Sequence, residues 1–182
     1  ESNKTLRKNE YKPKVQTPEY LLVDGYNVIF AWEELSELAK VSVAGAREKL
    51  QDIMCNYQGF RKCNLILVFD AYRVEGHEEE IIPYHNIHVV YTKEAETADS
   101  FIERTAHQIG RKYQVTVATS DGLEQVIIRG QGCAMMSARE LKEEIERINQ
   151  EIRRDYVEQF PGSKNYLFDY VPEELAKHLQ EV

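Results

Sequence analysis

The chain has 182 residues with an ordinary apolar share, enough to bury the core of one domain with tails. Its formal net charge of −8 argues against a protein that coats nucleic acid regardless of sequence, because such binding needs a basic surface. A nuclease is not excluded, since carboxylates gathered around a metal would themselves supply negative charge.

The three cysteines are odd in number and lack CxxC spacing, which favours free thiols in a reducing cytoplasm over disulfides or a zinc ribbon. No apolar segment is long enough to span a membrane, and no signal sequence precedes the first apolar run. We therefore expect a cytoplasmic protein without a membrane partner. Residues 1–18 contain basic residues and prolines and do not begin with methionine, so we expect a linker or leader behind an upstream domain.

The first predicted element is a buried strand that begins near Tyr20 and ends on Asp24, before Gly25 and Asn27. An apolar run bounded by turn residues is typical of a central strand in a parallel sheet. The same pattern of strand and acid occurs twice more along the chain: residues 65–69 precede Asp70, and residues 115–119 precede Ser120 and Asp121. In a parallel sheet these strand ends meet at one edge, where ligands bind.

Helices are predicted between these strands. Apolar spacing indicates a helix at about residues 43–57, and residues 71–83 are predicted to form an exposed, glutamate-rich loop. After a strand at residues 87–91, Thr97 is expected to cap a helix that ends at Gly110.

The last third of the chain continues the alternation. A short helix is predicted at about residues 123–129, and a capping box at residues 137–140 begins a long helix to about Tyr156. Strands that alternate with helices predict an α/β, Rossmann-like fold in three layers with a mainly parallel central sheet. We expect the domain to cover residues 19–160, with residues 161–182 as a tail packed on it.

The acids predict a metal site. Glu96 and Asp99 lie three residues apart at a helix start and can join Asp24, Asp70 and Asp121. Taken singly, each acid is more simply a turn residue or a helix cap, or complements a helix dipole. Carboxylates packed together, however, need a compensating cation, and oxygen ligands favour Mg²⁺ or Mn²⁺. Such an ion would assist hydrolysis of a phosphodiester.

A family resemblance rests on four motifs: residues 23–27 (VDGYN), 69–71 (FDA), 96–99 (ETAD) and 119–121 (TSD). These motifs, in this order, resemble those of the NYN domain family in its YacP-like branch, which is related to the PIN-like ribonucleases. The resemblance covers about residues 20–156. It implies a PIN-like fold and a metal-dependent endoribonuclease with Asp24 and Asp99 as the principal metal-binding acids. Asn27, Asp70 and Asp121 match further positions of that site.

The same resemblance implies partners. YacP-like proteins include a ribosome-associated endonuclease that cuts mRNA during translation, so mRNA and the ribosome are the expected partners. Such domains also occur fused behind translation GTPases of the ribosomal-protection type, so the resemblance, together with the leader, implies that this chain is the C-terminal domain of such a protein.

Several other residues are candidates for binding RNA. Ser120 and Thr119 can donate to a phosphate oxygen, although a residue at a strand end more often caps the next turn. Tyr26 can stack on a base or simply pack in the core. Three basic residues near the predicted crevice can contact phosphate or remain solvated: Arg73, Lys93 and Arg129.

Motifs for other chemistry are absent from the sequence: it contains no GxxxxGK[ST], GxGxxG or GxSxG. Two alternatives to the endoribonuclease remain open. One is a module that binds RNA or the ribosome and whose acid site does not cut. The other is a metal-dependent phosphatase acting on a small phosphate ester.

Overall fold

A computed structural model describes residues 17–71, 80–93, 96–122, 128–130 and 132–159. The chain divides into two compact units. The first, Glu1–Lys142, contains the sheet and the helices before residue 138, and the second begins at Glu143. Within the second unit, the described residues form one helical segment that ends at Gln159.

The first unit is built on a six-stranded sheet in the order β3-β4-β2-β1-β5-β6. All neighbouring strands run parallel except β3 and β4, which are antiparallel. The strands are β1 (Glu19–Asp24), β2 (Asn64–Phe69), β3 (Glu80–Tyr84), β4 (Ile87–Tyr91), β5 (Gln114–Ala118) and β6 (Ala134–Met136). The central position of β1 places its last residue, Asp24, in the middle of the carboxyl edge.

Most of the described helices begin at polar caps. They are α1 (Gly25–Ala31), α2 (Glu33–Val41), α3 (Val43–Arg61), α4 (Ala98–Ile109) and α5 (Ala138–Gln159). Asp24, Ser42 and Thr97 each accept a hydrogen bond from a backbone N–H of the helix that follows. Ser137 and Glu140 form the predicted capping box: each backbone N–H donates to the other side chain, at 2.7 and 3.1 Å.

The core has α4 on one face of the sheet. Its Ile102 is fully buried in a cluster with Leu22, Val68, Val90 and Val117 of four neighbouring strands. Helices α1 and α3 contact β2, and none of their buried side chains belongs to this cluster. Since alternate residues of a strand face opposite sides, these helices cover the other face, and the sheet is the middle layer.

Gly25 allows the turn from β1 into α1. A Cβ atom on Gly25 would lie 2.3 Å from Cε1 of the buried Phe69 ring at the end of β2. Two acid-bearing segments, the ends of β1 and β2, can therefore lie close together only because residue 25 has no side chain.

The predicted fold class is confirmed, as are the parallel strands that end near Asp24, Asp70 and Asp121. The helix predicted at residues 43–57 extends to Arg61, and the helix predicted to end near Tyr156 reaches Gln159. The three cysteines are free thiols, as expected. In the described part of the chain, no helix is long and apolar enough to cross a membrane.

Two predictions about elements are wrong or incomplete. Residues 80–83, the last part of the loop predicted at residues 71–83, instead belong to the edge strand β3, where Pro83 is tolerated because it lies at the edge of the sheet. Residues 25–41 form two helices that the sequence analysis did not predict. Four predicted segments lie wholly or partly outside the described residues: the leader, the loop at 71–83, the helix at 123–129 and the tail.

Candidate active site

Asp24 is held at the centre of the carboxyl edge of the sheet. It is the last residue of β1 and the N-cap of α1, and its Oδ1 accepts a 3.0 Å hydrogen bond from the backbone N–H of Asn27. Its exposed fraction is only 6 %. Nearly complete burial would be unfavourable for an isolated carboxylate, so this acid needs partners.

Asp99, in the first turn of α4, shows which acids are close together. Desolvation raises the pKa of Asp99, and the negative charges of Asp121 and Asp70 raise it further, while a side-chain hydrogen bond with Asp24 opposes the rise. The folding of four separate segments therefore brings four carboxyl groups within electrostatic range of one another.

Asp70 follows the last residue of β2 and faces the start of α4. Its Oδ1 accepts a 2.6 Å hydrogen bond from the backbone N–H of Ala98. The first N–H groups of a helix have no partner within the helix, so this carboxylate satisfies one of them. Asp70 thereby connects the end of β2 to the residue that precedes Asp99.

Asn27 connects α1 to the loop after β5. Its Oδ1 accepts a 2.6 Å hydrogen bond from the backbone N–H of Ser120, the neighbour of Asp121. Because the oxygen faces this donor, the amide nitrogen lies on the opposite side of the same planar group. Asp121 is held from the other direction, since its backbone N–H donates to Oγ1 of Thr119 at 3.1 Å.

Thr92 belongs to this edge of the sheet, although the sequence analysis did not select it. Phe69 pairs with Tyr91, so Thr92 and Asp70 occupy equivalent positions one residue beyond the strands β4 and β2. Thr92 is fully buried. A strand that ends on a polar residue without charge resembles many turns, so nothing in the sequence distinguishes Thr92.

Glu96 is placed differently from the four aspartates. Its Oε1 accepts hydrogen bonds from Nε and Nη2 of Arg104, at 3.1 and 2.8 Å, along the surface of α4. Its Oε2 is buried without a hydrogen-bond partner in the described structure. The charges that affect the pKa of Asp99 come from Asp121 and Asp70, not from Glu96. The role of Glu96 as a metal ligand stays a prediction.

The other predicted substrate-binding residues fall into two groups. Thr119 and Tyr26 are buried, and the Tyr26 hydroxyl accepts a 3.0 Å hydrogen bond from Nη1 of Arg47. Ser120 is exposed and its Oγ accepts from the backbone N–H of Ala138 at 3.1 Å. Two of the basic candidates, Lys93 and Arg129, are exposed, and the third, Arg73, lies outside the described residues.

The Tyr26 ring packs inside the protein. It stacks on Phe30 with ring centroids 6.2 Å apart and meets the edge of Phe69 at 5.2 Å. With an exposed fraction of 5 %, the ring has little surface on which a base can stack. Its structural role is to join α1 to the end of β2.

The donor atoms suit a hard divalent cation. No group of three or more His, Cys, Asp or Glu side chains among the described residues is arranged as a ready metal cage. Mg²⁺, however, is commonly bound by one or two carboxylates, with water molecules completing its shell. Asp24 and Asp99 are close enough for a side-chain hydrogen bond, and a cation between them would offset the repulsion among the neighbouring carboxylates. The residues therefore fit such an ion.

Comparison with known proteins identifies the family. The model of the YacP-like NYN domain matches residues 21–182. The chain belongs to the YacP-like NYN domain family. The uncharacterized protein YacP of Bacillus subtilis strain 168 is 45 % identical over 135 residues, which cover 74 % of this chain and 79 % of that protein.

Two solved structures of a YacP-like NYN protein agree with the fold. The crystal structure of Rae1 (YacP) from Bacillus subtilis has 40 % identity and a TM-score of 0.65, and covers 89 % of this chain and 92 % of its own. A tryptophan-to-leucine mutant of the same protein has 39 % identity and a TM-score of 0.69, and covers 80 % and 86 %.

Membership in the YacP-like NYN family implies a PIN-like nuclease with an RNA-related function. RNA is the substrate that such a domain implies, and PIN-like nuclease domains generally use divalent metals. The predicted family resemblance is therefore confirmed.

Proposed function

We propose that the protein is an endoribonuclease that depends on Mg²⁺ or Mn²⁺ and hydrolyses phosphodiester bonds of RNA. One observation carries this proposal. Asp24, Asp70 and Asp121 lie at the carboxyl ends of neighbouring strands beside Asp99 at the start of α4, so four carboxyl groups share one edge of the sheet in a chain of a nuclease family. Such a concentration of negative charge is expected where a cation and a phosphate meet.

Asp24 and Asp99 would hold the ion, because their carboxyl groups already contact each other. Asp121 and Asp70 add negative charge beside this pair. The ion would supply an activated water and would neutralise charge on the phosphate oxygens. The expected products carry a 5′-phosphate and a 3′-hydroxyl.

The protein's own residues bind and orient the RNA. The amide nitrogen of Asn27 lies opposite its bond to Ser120 and is a donor for a phosphate oxygen. Lys93 and Arg129 are exposed cations that can contact phosphates farther along the strand. Thr119 acts through the loop, because its hydroxyl orients the backbone of Asp121.

We further propose that the substrate is mRNA presented by the ribosome in the cytoplasm. The net charge of −8 disfavours tight binding to RNA by phosphate contacts alone. A partner that delivers the RNA strand to the acidic edge would compensate for this repulsion. Cleavage of translated mRNA should therefore be faster than cleavage of the same RNA without ribosomes.

The test is cleavage of a labelled RNA by the purified protein, with Mn²⁺ or Mg²⁺ and with a chelator, in the presence and absence of translating ribosomes. Asp24→Asn and Asp99→Asn are expected to lower the rate at least about 100-fold, because each removes a charge that holds the ion. Asp52→Asn is the matched control. Asp52 is exposed on α3, where its carboxylate accepts a hydrogen bond from the Tyr84 hydroxyl. It does not belong to any of the segments that carry the four acids.

Undiminished cutting by both site variants would refute the assignment of the acids. Cutting that continues in chelator would refute metal dependence. Faster hydrolysis of nitrophenyl phosphate than of RNA would instead support a phosphatase.

A further inference from the structure

The Thr92 hydroxyl bridges two acid-bearing segments of the proposed site. The backbone N–H of Ala71, next to Asp70, donates to Thr92 Oγ1 at 3.1 Å. The same oxygen donates its proton to the carbonyl oxygen of Glu96 at 2.6 Å. One buried side chain thus joins the end of β2 to the segment that leads into α4.

The direction of both bonds is fixed by chemistry. A backbone N–H can only donate and a carbonyl oxygen can only accept, so the hydroxyl group must accept from Ala71 and donate to Glu96. A methyl group in the same place can do neither. At this position, which is fully buried, only a threonine or serine side chain of matching size satisfies both backbone groups.

The backbone of Thr92 strengthens the connection. Its N–H donates to the carbonyl oxygen of Phe69 at 3.0 Å, and the N–H of Glu96 donates to the carbonyl oxygen of Lys93 at 2.9 Å. Lys93 and Glu96 are therefore joined to each other, and Thr92 is attached to β2. Together with the Asp70 bond to Ala98, these contacts determine where the first turn of α4 begins.

We infer that Thr92 is a positioning residue of the nuclease site, and that its hydroxyl sets the separation between Asp70 and Asp99. This inference rests on the proposed function. The role of Thr92 needs no contact with substrate or metal. It acts through the backbone on either side of it, as residues behind a metal ligand commonly do.

The experiment compares Thr92→Val, Thr92→Ser and the wild-type protein. Val keeps the shape and loses the hydroxyl group, whereas Ser keeps the hydroxyl group. Mn²⁺ binding is measured by electron paramagnetic resonance, kcat and KM on labelled RNA are measured separately, and thermal unfolding is followed for each protein. Ser42→Ala is the matched control for stability, because it removes a similar 3.0 Å bond to the backbone N–H of Gly45, at the start of α3.

Thr92→Val is expected to bind Mn²⁺ about 10- to 100-fold more weakly and to lose kcat by a similar factor, as for other residues that support metal ligands. Its KM for RNA should change little, and Thr92→Ser should restore both values. Ser42→Ala should lose thermal stability while keeping Mn²⁺ affinity and kcat.

Wild-type Mn²⁺ affinity in Thr92→Val would overturn the inference. Equal losses of Mn²⁺ affinity and kcat in Thr92→Val and Ser42→Ala would overturn it as well. A wild-type protein that binds Mn²⁺ but does not cut RNA would refute the proposed function alone, and the binding data would still decide the role of Thr92. A wild-type protein that binds no Mn²⁺ would overturn both.

Discussion

The carboxylate of Asp70 accepts a hydrogen bond of 2.6 Å from the backbone N–H of Ala98, the residue before Asp99. An acid at the end of a strand is thus attached to the helix that carries a second acid. One oxygen of Asp70 is used in this structural bond, and its negative charge still raises the pKa of Asp99. Asp70 therefore has two separable roles, and substitutions can distinguish them.

Asp70→Ala removes both the acceptor and the charge, whereas Asp70→Asn keeps an acceptor oxygen. We expect Asp70→Ala to lower the free energy of unfolding by about 1–2 kcal/mol, as for loss of a helix cap, and Asp70→Asn by much less. Urea unfolding of the metal-free proteins measures this difference. Equal losses in the two variants would contradict the capping role.

The raised pKa of Asp99 predicts a pH dependence of stability. Because the pKa in the folded protein lies above that of the unfolded chain, the protonated carboxyl group favours folding. This contribution is complete below the ordinary pKa of an aspartate, about 3.9, and is lost as the pH rises through the raised value. Asp99→Asn should therefore be more stable than the metal-free wild type at neutral pH, and the difference should shrink in acid.

Thermal unfolding between acidic and neutral pH checks this prediction, with Asp52→Asn as the control carboxylate. Mn²⁺ should stabilise the wild type more at neutral pH than in acid, because the ion competes with the proton on Asp99. The same pH profile for Asp99→Asn and the wild type would contradict the structure.

Gly25 and Gly59 are both helical glycines, but they differ in the space that is available for a side chain. Gly25→Ala would place a Cβ atom 2.3 Å from the Phe69 ring, whereas the nearest atom to a Cβ on Gly59 is Nδ2 of Asn86, at 3.9 Å. We expect Gly25→Ala to cost about 1–3 kcal/mol by overpacking. Gly59→Ala, within α3, should stabilise the protein by up to about 1 kcal/mol.

Urea unfolding gives both values under the same conditions. Gly25→Ala should also lower RNA cleavage, because the Phe69 ring must move and Asp70 follows it in the chain. A neutral effect of Gly25→Ala on stability would mean that the ring yields without cost.

The parts of the fold that the sequence revealed are those with strong local signals. The strands before Asp24, Asp70 and Asp121 are near-continuous apolar runs, and Thr97 and Ser137 are good helix caps. The helices over residues 25–41 were missed because Asp24 and Gly25 also match a turn. Packing of α1 against β2 and α3 favours the helix over the turn, and that packing is not local.

The candidate site was predictable in part for the same reason. The carboxyl ends of parallel strands meet at one edge whatever the loops do, so Asp24, Asp70 and Asp121 were foreseeable. The pairing of Glu96 with Arg104 was not foreseeable. Arg104 lies eight residues farther along the chain, and the two side chains meet only because of where α4 begins. Thr92 was missed because a buried hydroxyl has no signature without its two backbone partners.

Glu96 can be tested directly against Asp99. In Glu96→Gln the Arg104 side chain keeps an acceptor oxygen, and we expect Mn²⁺ affinity to change little, because Arg104 already offsets the charge of the Glu96 carboxylate. The ion pair itself should be worth less than about 1 kcal/mol, since Arg104 is 44 % exposed. Isothermal titration with Mn²⁺ checks this, with Asp99→Asn as the comparison. A loss as large as that of Asp99→Asn would establish Glu96 as a metal ligand.

Asn27 joins the Asp24 and Asp121 segments, and its side-chain amide has an acceptor oxygen at one end and a donor nitrogen at the other. Its side-chain Oδ1 accepts from the Ser120 backbone N–H at 2.6 Å, which leaves the amide nitrogen as a donor, and the separate backbone N–H of Asn27 donates to Asp24 Oδ1 at 3.0 Å. Asn27→Asp keeps the acceptor but replaces the amide donor by an oxygen and adds a charge to the acidic edge. Asn27→Ala loses the acceptor and the donor together.

We expect Asn27→Asp to melt at a lower temperature than the wild type without metal, because a further carboxylate raises the repulsion among the acids. Saturating Mn²⁺ should remove most of that difference, yet RNA cleavage should stay about 10- to 100-fold slower, because no donor faces the phosphate. Asn27→Ala should be destabilised with and without Mn²⁺, since the Ser120 N–H loses its acceptor in both states. Full cleavage by Asn27→Asp would show that the amide nitrogen does not contact the substrate, and would leave Asn27 as a residue that only holds the loop.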